Sequence, residues 1–384
     1  MSIPGEVLLL CWRDTGHPQG GGSERYLERV AADLVCRGVS VTLLTAGYPG
    51  APSAEVRDGV RILRRGGRLT VYPFALMTIV AGRLGRGPLA GRRPDVVVDT
   101  QNGIPFFATT VAGRPTIVLV HHCHREQWPV AGTLLGRLGW WLESKVSPRV
   151  HRENRYITVS TPSAGELAAL GVDAERISVI RNGVDPVPSG SIDPTPPVDG
   201  SQPRPSSSAR LCVLSRLVPH KQVEHALAAV AELAPDRPDL HLDVIGDGWW
   251  ADRLRDRAAE LGVTDHVTFH GHVDEDRKHH LLARADVHLM PSRKEGWGLA
   301  VMEAAQHRVP TIGYRSSAGL AESIDHEHTG LLVDSPDELV SATRKLIDNP
   351  DEAARLGGHA QRKAAGYSWS ATTDGVLDVM SRLV

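Results

Sequence analysis

The sequence predicts an α/β protein built from two doubly wound parallel-sheet domains, and three observations carry that expectation. The chain has 384 residues, more than a single hydrophobic core usually supports. Short continuous apolar runs alternate with segments of helical spacing, as strands of a parallel sheet covered on both faces require. Between 186 and 209 the alternation stops, Pro, Ser, Gly and Asp replace the large apolar residues, and the alternation then restarts. A stretch of that composition cannot form a packed core. The expected organisation is therefore an N-terminal domain over 1–187, a linker over 188–209 and a C-terminal domain over 210–366, with the last helices, 367–384, packing back on the first domain.

Taken in order, Glu6 to Trp12 reads as a buried strand. After a Gly-rich loop, Leu27, Val30, Ala31, Leu34 and Val35 recur at helical spacing, with Ser23 the expected N-cap and Gly38 the stop. Val39 to Thr45, Asp95 to Asp99, Thr116 to His121 and Tyr156 to Ser160 are the further strands of the first sheet. The second series runs strand Leu211 to Ser215, helix Lys221 to Leu233, strand Leu240 to Ile245, helix Ala251 to Leu261, strand Val267 to Phe269, helix Glu275 to Ala283 and strand Val287 to Met290. Open sheets of this kind bind ligands outside the carboxyl ends of their strands, so two sheets facing across a cleft would place functional residues at strand ends.

Composition narrows the function. With 43 basic and 45 acidic residues the net charge is −2, which excludes a strongly basic nucleic-acid binder. The halves differ: up to 185 there are 22 basic and 16 acidic residues, a balance of +6, and beyond it 21 and 29, a balance of −8. The four cysteines, Cys11, Cys36, Cys123 and Cys212, are widely spaced, so neither a disulfide framework nor a zinc cluster is expected and a reducing compartment fits. No basic leader precedes the short apolar run Val7 to Trp12, and no run reaches the roughly 18 residues of a membrane span. The expectation is a cytoplasmic protein, with association to the inner face of the cell membrane left open.

The most informative segment is Pro291-Ser-Arg-Lys-Glu-Gly-Trp-Gly-Leu-Ala-Val-Met-Glu-Ala-Ala305. Gly296 and Gly298 keep Glu295 in a loop, while Glu303 lies about one turn inside the following helix. The unpaired amides and positive dipole end of that helix suit a diphosphate. A carboxylate on either side can accept from vicinal hydroxyls, one pair on a ribose and one on a sugar ring. The alternative is a helix-start acid and a solvated glutamate. In Leu214-Ser-Arg-Leu-Val-Pro-His-Lys221, Arg216 follows a strand and Lys221 opens a helix, so both cations can reach one anion and stabilise a departing pyrophosphate; plain surface solvation is the bland reading.

Embedded in Glu-Gly-Trp-Gly-Leu, the pair Glu295 and Glu303 resembles the paired-glutamate motif of the retaining family 4 glycosyltransferases of the GT-B fold. Ser215-Arg-Leu-Val-Pro-His-Lys221 resembles that family's phosphate-binding segment. Gly20-Gly-Gly-Ser-Glu24, His121-His122, Arg181-Asn-Gly-Val-Asp185 and His328-Thr-Gly-Leu-Leu-Val333 agree in order, so the likeness covers nearly the whole chain.

The resemblance implies two Rossmann-like domains and a metal-independent hexosyltransferase that uses no cofactor and takes a nucleotide sugar such as GDP-mannose or UDP-glucose as donor. Arg216 and Lys221 would hold the diphosphate and Glu303 the ribose. Glu295, with the backbone of Gly296, Trp297, Gly298 and Leu299, would hold the transferred sugar. The base would rest near His272-Val273, and Gly246-Asp-Gly248 would line the same cleft, although a lone Gly-x-Gly more often makes a tight turn. Gly21 and Gly22 would approach the donor phosphate or the acceptor, or simply form a turn. They are not the dinucleotide fingerprint, because the third spaced glycine is absent.

His122 is the expected contact near the anomeric carbon, with His121 the close alternative and a satisfied core histidine the structural one. In a strand His122 and His124 share a face while His121 and Cys123 point away, so a metal site is not expected. The acceptor would be a glycan or glycolipid. Nine arginines between 57 and 93 face one acid, Asp58, and Leu134, Leu135, Leu138, Trp141, Leu142 and Val146 recur at helical spacing beside Trp140. Together they would seat the chain on an anionic bilayer, or else form a core-facing helix and a solvated basic loop. A sugar-nucleotide epimerase of the same fold, or a non-catalytic nucleotide-sugar-binding protein, are the rival functions.

Overall fold

The computed structural model describes residues 3–18, 20–128, 132–188 and 208–384. The chain divides into two compact units, Met1–Gly183 with Ser368–Val384, and Val184–Tyr367. The division falls at Gly183, where the sequence suggested 187. A side chain at Gly183 would collide with the backbone of Ser368 and Trp369, so this residue is fastened to the terminal helix. Most of the expected linker, 189–207, lies outside the described residues.

The first unit carries an eight-stranded sheet. Its strands are β1 Glu6–Leu10, β2 Ser40–Thr45, β3 Ala54–Arg57, β4 Val60–Arg64, β5 Val96–Thr100, β6 Thr116–Val120, β7 Arg155–Thr158 and β8 Ile177–Val179, in the order β3-β4-β2-β1-β5-β6-β7-β8. All pairings are parallel except β3 with β4. The stretch expected as a basic loop therefore holds a hairpin. Asp58-Gly59, both at positive φ, makes its turn, a dipeptide that marks such turns. A helix, Val71–Arg83, follows. Val7 to Leu10 and Val96 to Thr100 are buried throughout, which explains why these strands read as unbroken apolar runs.

Helix Gly22–Cys36 buries Tyr26, Leu27, Val30, Ala31 and Leu34, the face the spacing marked. Its N-cap is Gly21, not Ser23: Glu24 at the third position folds back to accept from the Gly21 N–H at 2.8 Å, leaving Ser23 as the second residue of the helix. The terminal helix Trp369–Ser381 lies against it, with the Tyr26 and Trp369 rings 6.0 Å apart and Arg37 paired to Asp374.

The second unit carries six parallel strands, β9 Arg210–Leu214, β10 His241–Ile245, β11 Val267–Gly271, β12 Val287–Met290, β13 Thr311–Tyr314 and β14 Gly330–Val333, in the order β11-β10-β9-β12-β13-β14. Sequence spacing gave the first four. The chain order reverses between β9 and β12, which makes their carboxyl ends the crevice where open sheets take ligands. Helices Val223–Leu233, Ala251–Glu260 and Pro336–Asp348 bury their apolar stripes into a core built on Leu211, Val213, Leu242, Val244 and Leu289.

Three histidines, His121, His151 and His288, are buried in these cores and His307 is half-buried. Burial pulls the imidazoles of His121 and His151 down to about 4, and those of His288 and His307 to about 3 and about 4. A group whose folded value is depressed stabilises the fold above its unfolded value, near 6.5, and loses that contribution as pH falls through the folded value. Stability should therefore decline between pH 6.5 and 4, by up to about 1.4 kcal/mol per pH unit for each such histidine. Urea midpoints across that range test this, and His288→Gln should flatten the slope.

Candidate functional site

In the second unit the site is assembled from the loops after β9 and β12. Ser215–Lys221 leaves β9, turns through a short 3₁₀ segment, Pro219–Lys221, and enters the helix Val223–Leu233 with Gln222 at positive φ. The Arg293 N–H donates to the carbonyl of His220 at 2.9 Å, tying this loop to Pro291–Gly298. Lys221 Nζ then lies 2.5 Å from Glu295 Oε1, both side chains largely withdrawn from water. The cation expected on a phosphate and the carboxylate expected on a sugar ring meet each other. Arg216 stands half-buried on the same loop.

Gly298, at φ +90°, caps the helix Leu299–Gln306 without any side-chain cap, so the first amides of the helix have no side-chain acceptor at the cap. Trp297 is buried and its ring stacks edge-on with Tyr367, 4.8 Å between centroids. Gly319 presses on the Glu295–Gly296 backbone, where any side chain would collide. The glutamate loop is thus anchored by Trp297 and by the short helix Ala318–Ser323 at Gly319.

Glu303 is not a solvated helix acid. It is buried and its Oε1 accepts from Lys278 Nζ at 2.6 Å. Lys278 is itself buried and also donates to Glu275 at 2.8 Å. Sequence reasoning missed Lys278, although the signal existed: on the helix Glu275–Ala283 it shares the inward face with Leu281 and Leu282, three and four residues on. A lysine at an apolar position implies an inward carboxylate.

Gly246 adopts φ +125°, and a side chain there would strike the carbonyl of Ser215; at Gly248 it would strike that of Leu217. These glycines serve the packing of the β10 turn under the Ser215–Lys221 loop, which is the tight-turn reading. Val273 is half-buried against the small core that contains Ile245, Leu281, Leu282 and Ala304, and His272 is exposed.

The first unit has its own crevice between β1 and β5. The buried Glu24 carboxylate lies 2.8 Å from Arg13 Nε and accepts from Asn102 Nδ2 at 3.2 Å, so it joins the chain after β1 to the chain after β5. Gly21 and Gly22 are exposed at this helix start. Beside it Trp12 lies under the guanidiniums of Arg13 (4.4 Å) and Arg68 (5.9 Å), with His17 edge-on at 5.6 Å and Tyr48 beyond it. Sequence reasoning marked none of Trp12, Arg13 and Asn102 for this crevice, and Arg68 only as part of the basic stretch, because three separate strand ends, those of β1, β4 and β5, bring them together.

The two strand-end histidines differ. His121 is buried against Tyr26, 5.2 Å between rings, and its Nε2 has no hydrogen-bond partner. His122 is half-buried, its Nε2 2.9 Å from Gln127 and its ring stacked on His124 at 4.5 Å. His124 in turn meets the buried Glu143, which also accepts from Trp128 Nε1 at 2.6 Å. Among the described residues no three His, Cys, Asp or Glu side chains converge as a metal site.

Comparison with known proteins agrees with this division. Residues 20–187 match Glycosyltransferase Family 4 and residues 198–363 match Glycosyl transferases group 1. A GDP-mannose-dependent alpha-(1-6)-phosphatidylinositol monomannoside mannosyltransferase of Mycolicibacterium smegmatis is 30% identical over 92% of this chain and 91% of its own. A glycogen synthase of Mycobacterium tuberculosis is 28% identical over 97% and 94%. Among solved structures, sucrose-phosphate synthase from Thermosynechococcus elongatus superposes with a TM-score of 0.80 at 19% identity, covering 98% of both chains.

Because a Cβ has no room at Gly246, Gly246→Ala should lower the thermal midpoint of the ligand-free protein by several degrees, the effect of about 2 kcal/mol of backbone strain. An equal midpoint in differential scanning calorimetry would show that the β10 turn tolerates a side chain.

Proposed function

The chain belongs to glycosyltransferase family 4 of the GT-B fold, and from that premise we propose that it is a retaining, metal-independent hexosyltransferase. It moves a mannose- or glucose-type sugar from a nucleotide diphosphate to a hydroxyl of a lipid-linked or cell-envelope glycan. The observation that supports this most is the gathering of Arg216, Lys221, Glu295 and the uncapped start of helix Leu299–Gln306 around the β9/β12 crevice.

On this reading the diphosphate enters where Lys221 now holds Glu295. Lys221 turns to the phosphate, Arg216 and the helix amides share the charge, and the released Glu295 accepts from the sugar hydroxyls. Three positive elements neutralise the diphosphate, which is the work a divalent ion would otherwise do. Glu303, aimed by Lys278, takes the ribose. As the anomeric C–O bond breaks, the departing phosphate oxygen accepts the proton of the acceptor hydroxyl, whose oxygen bonds to the same face of the sugar. The unpaired Nε2 of His121 favours that residue over His122 as the contact near the anomeric carbon. The relatives include a GDP-mannose-dependent mannosyltransferase and a glycogen synthase, in keeping with a hexose donor.

Lys221→Ala should cut kcat/KM about 100-fold or more, the scale of losing a group that stabilises developing charge; an unchanged rate would remove the assignment. Glu303→Gln and Lys278→Met should both raise the donor KM about tenfold with little change in kcat, since a charge-assisted hydrogen bond contributes 1.5–3 kcal/mol. His121→Asn should slow transfer more than His122→Asn does. Nuclear magnetic resonance of the product reads the anomer, and donor consumption without transfer would mark an epimerase.

A further inference from the structure

Large apolar side chains that face water are not scattered over this protein. Of the 13 described ones, nine lie in two segments of the first unit: Leu69, Phe74, Met77, Val80 and Leu84 along the helix Val71–Arg83 and its flanks, and Leu134, Leu135, Leu138 and Trp141 on the helix Thr133–Trp141. Isolated exposed leucines need no explanation, whereas clustered ones mark an interaction surface.

The second helix is inside out. Its buried residues are Gly136 and Gly139, while Leu134 stays 84% exposed and Trp141 54%. A core-facing amphipathic helix, one of the two arrangements its spacing allowed, would bury the leucines. Rotation to bury them is blocked. A Cβ at Gly139 would collide with the Trp128 ring, which fits only against glycine, and Trp128 is pinned through its Nε1 by the buried Glu143. Two glycines inside a helix cost about 1 kcal/mol each relative to alanine in general, and here they hold the leucine face outward.

The first helix buries Val71, Ala75, Ile79 and Gly82 and presents Phe74, Met77, Val80 and Leu84 along one exposed stripe. Both helices are anchored on the chain that follows β5: Trp128 also packs on Gly103, Tyr72 meets Phe106 at 4.8 Å, and Arg83 donates to the Val111 carbonyl at 2.6 Å.

Charge identifies the occupant. Residues 59–94 contain no Asp or Glu and eight arginines. Arg86, Arg93 and Arg137 are exposed and make no side-chain ion pair among the described residues. A second copy docked on this face would set arginines against arginines, whereas an anionic lipid surface supplies both the apolar layer and the counter-charge. We propose that the helices Val71–Arg83 and Thr133–Trp141 insert their apolar stripes into the interface of an anionic bilayer, with the arginines on the headgroups. This deepens the reading of a lipid-linked acceptor and rests on it for its purpose.

Flotation of the full chain with phosphatidylcholine vesicles, with and without phosphatidylglycerol, tests the proposal. The wild type should float with the anionic vesicles and be released by high salt. The triple variants Leu134→Ser/Leu138→Ser/Trp141→Ser and Phe74→Ser/Met77→Ser/Leu84→Ser should each partition about tenfold less, and Arg86→Gln/Arg93→Gln/Arg137→Gln should lose the preference for phosphatidylglycerol. Unchanged circular dichroism and donor turnover in the variants separate this from misfolding. Absence of flotation, or apolar variants that bind like the wild type, would overturn it; so would self-association in sedimentation velocity that the serine variants abolish. Wild-type flotation without donor turnover would instead reject the enzymatic reading alone.

Discussion

Close backbone approach at the carboxyl edge of the second sheet is the constraint on which the rest of that unit depends. The loop after β9 can lie on the turn after β10 only because Gly246 and Gly248 lack side chains, and the loop after β12 is seated by Gly319 in the same way. Parallel strands pointing the same way bring their loops to one edge. Glycine then lets those loops touch, and contact puts Lys221 beside Glu295. The charges that define the site are a consequence of packing that a single methyl group would spoil.

Both units resolve the cost of gathering charge in the same way, by pairing. Lys221 with Glu295, Lys278 with Glu303 and Arg13 with Glu24 are each withdrawn from water and matched. An unpaired charge in such a place would cost several kcal/mol, whereas a matched pair with further hydrogen bonds does not. The pairs differ in what they permit. Lys221 and Glu295 sit in a loop pair beside a helix start that has no side-chain cap. Lys278, buried and shared between Glu275 and Glu303, fixes a carboxylate in place. On the proposed function the first pair would open to capture phosphate, and the second would hold a carboxylate for the ribose.

The first unit divides its labour by exposure. Its crevice joins Glu24, Arg13 and Asn102 under an aromatic and cationic cluster at Trp12. Its flank turns leucines, a phenylalanine and a tryptophan outward among arginines. The +6 balance of the first 185 residues therefore has two sources, a partly neutralised interior set and an unpaired outer one, and only the outer set is available to a polyanionic surface.

How much of this was legible in the sequence follows from how local each signal is. Buried parallel strands announce themselves as unbroken apolar runs, so the central strands of both sheets, and the glutamate and arginine segments at their ends, could be read directly, whereas β3, β4, β8, β13 and β14 could not; membership of the family followed from those segments. The hairpin at Asp58-Gly59 carried a local signal too, but was obscured by the arginines around it. Other features have no local signature. Ser23 looked like an N-cap until Glu24 folded back on Gly21, and His122 looked the better placed of the two histidines, with His121 the close alternative, until burial left the His121 Nε2 without a partner. The leucines of Thr133–Trp141 have the same spacing whether a helix faces the core or the solvent. Periodicity fixes which residues share a face, whereas which face turns inward depends on what the neighbouring chain can accommodate. Here the Trp128 ring admits only glycine, and that choice belongs to the tertiary structure.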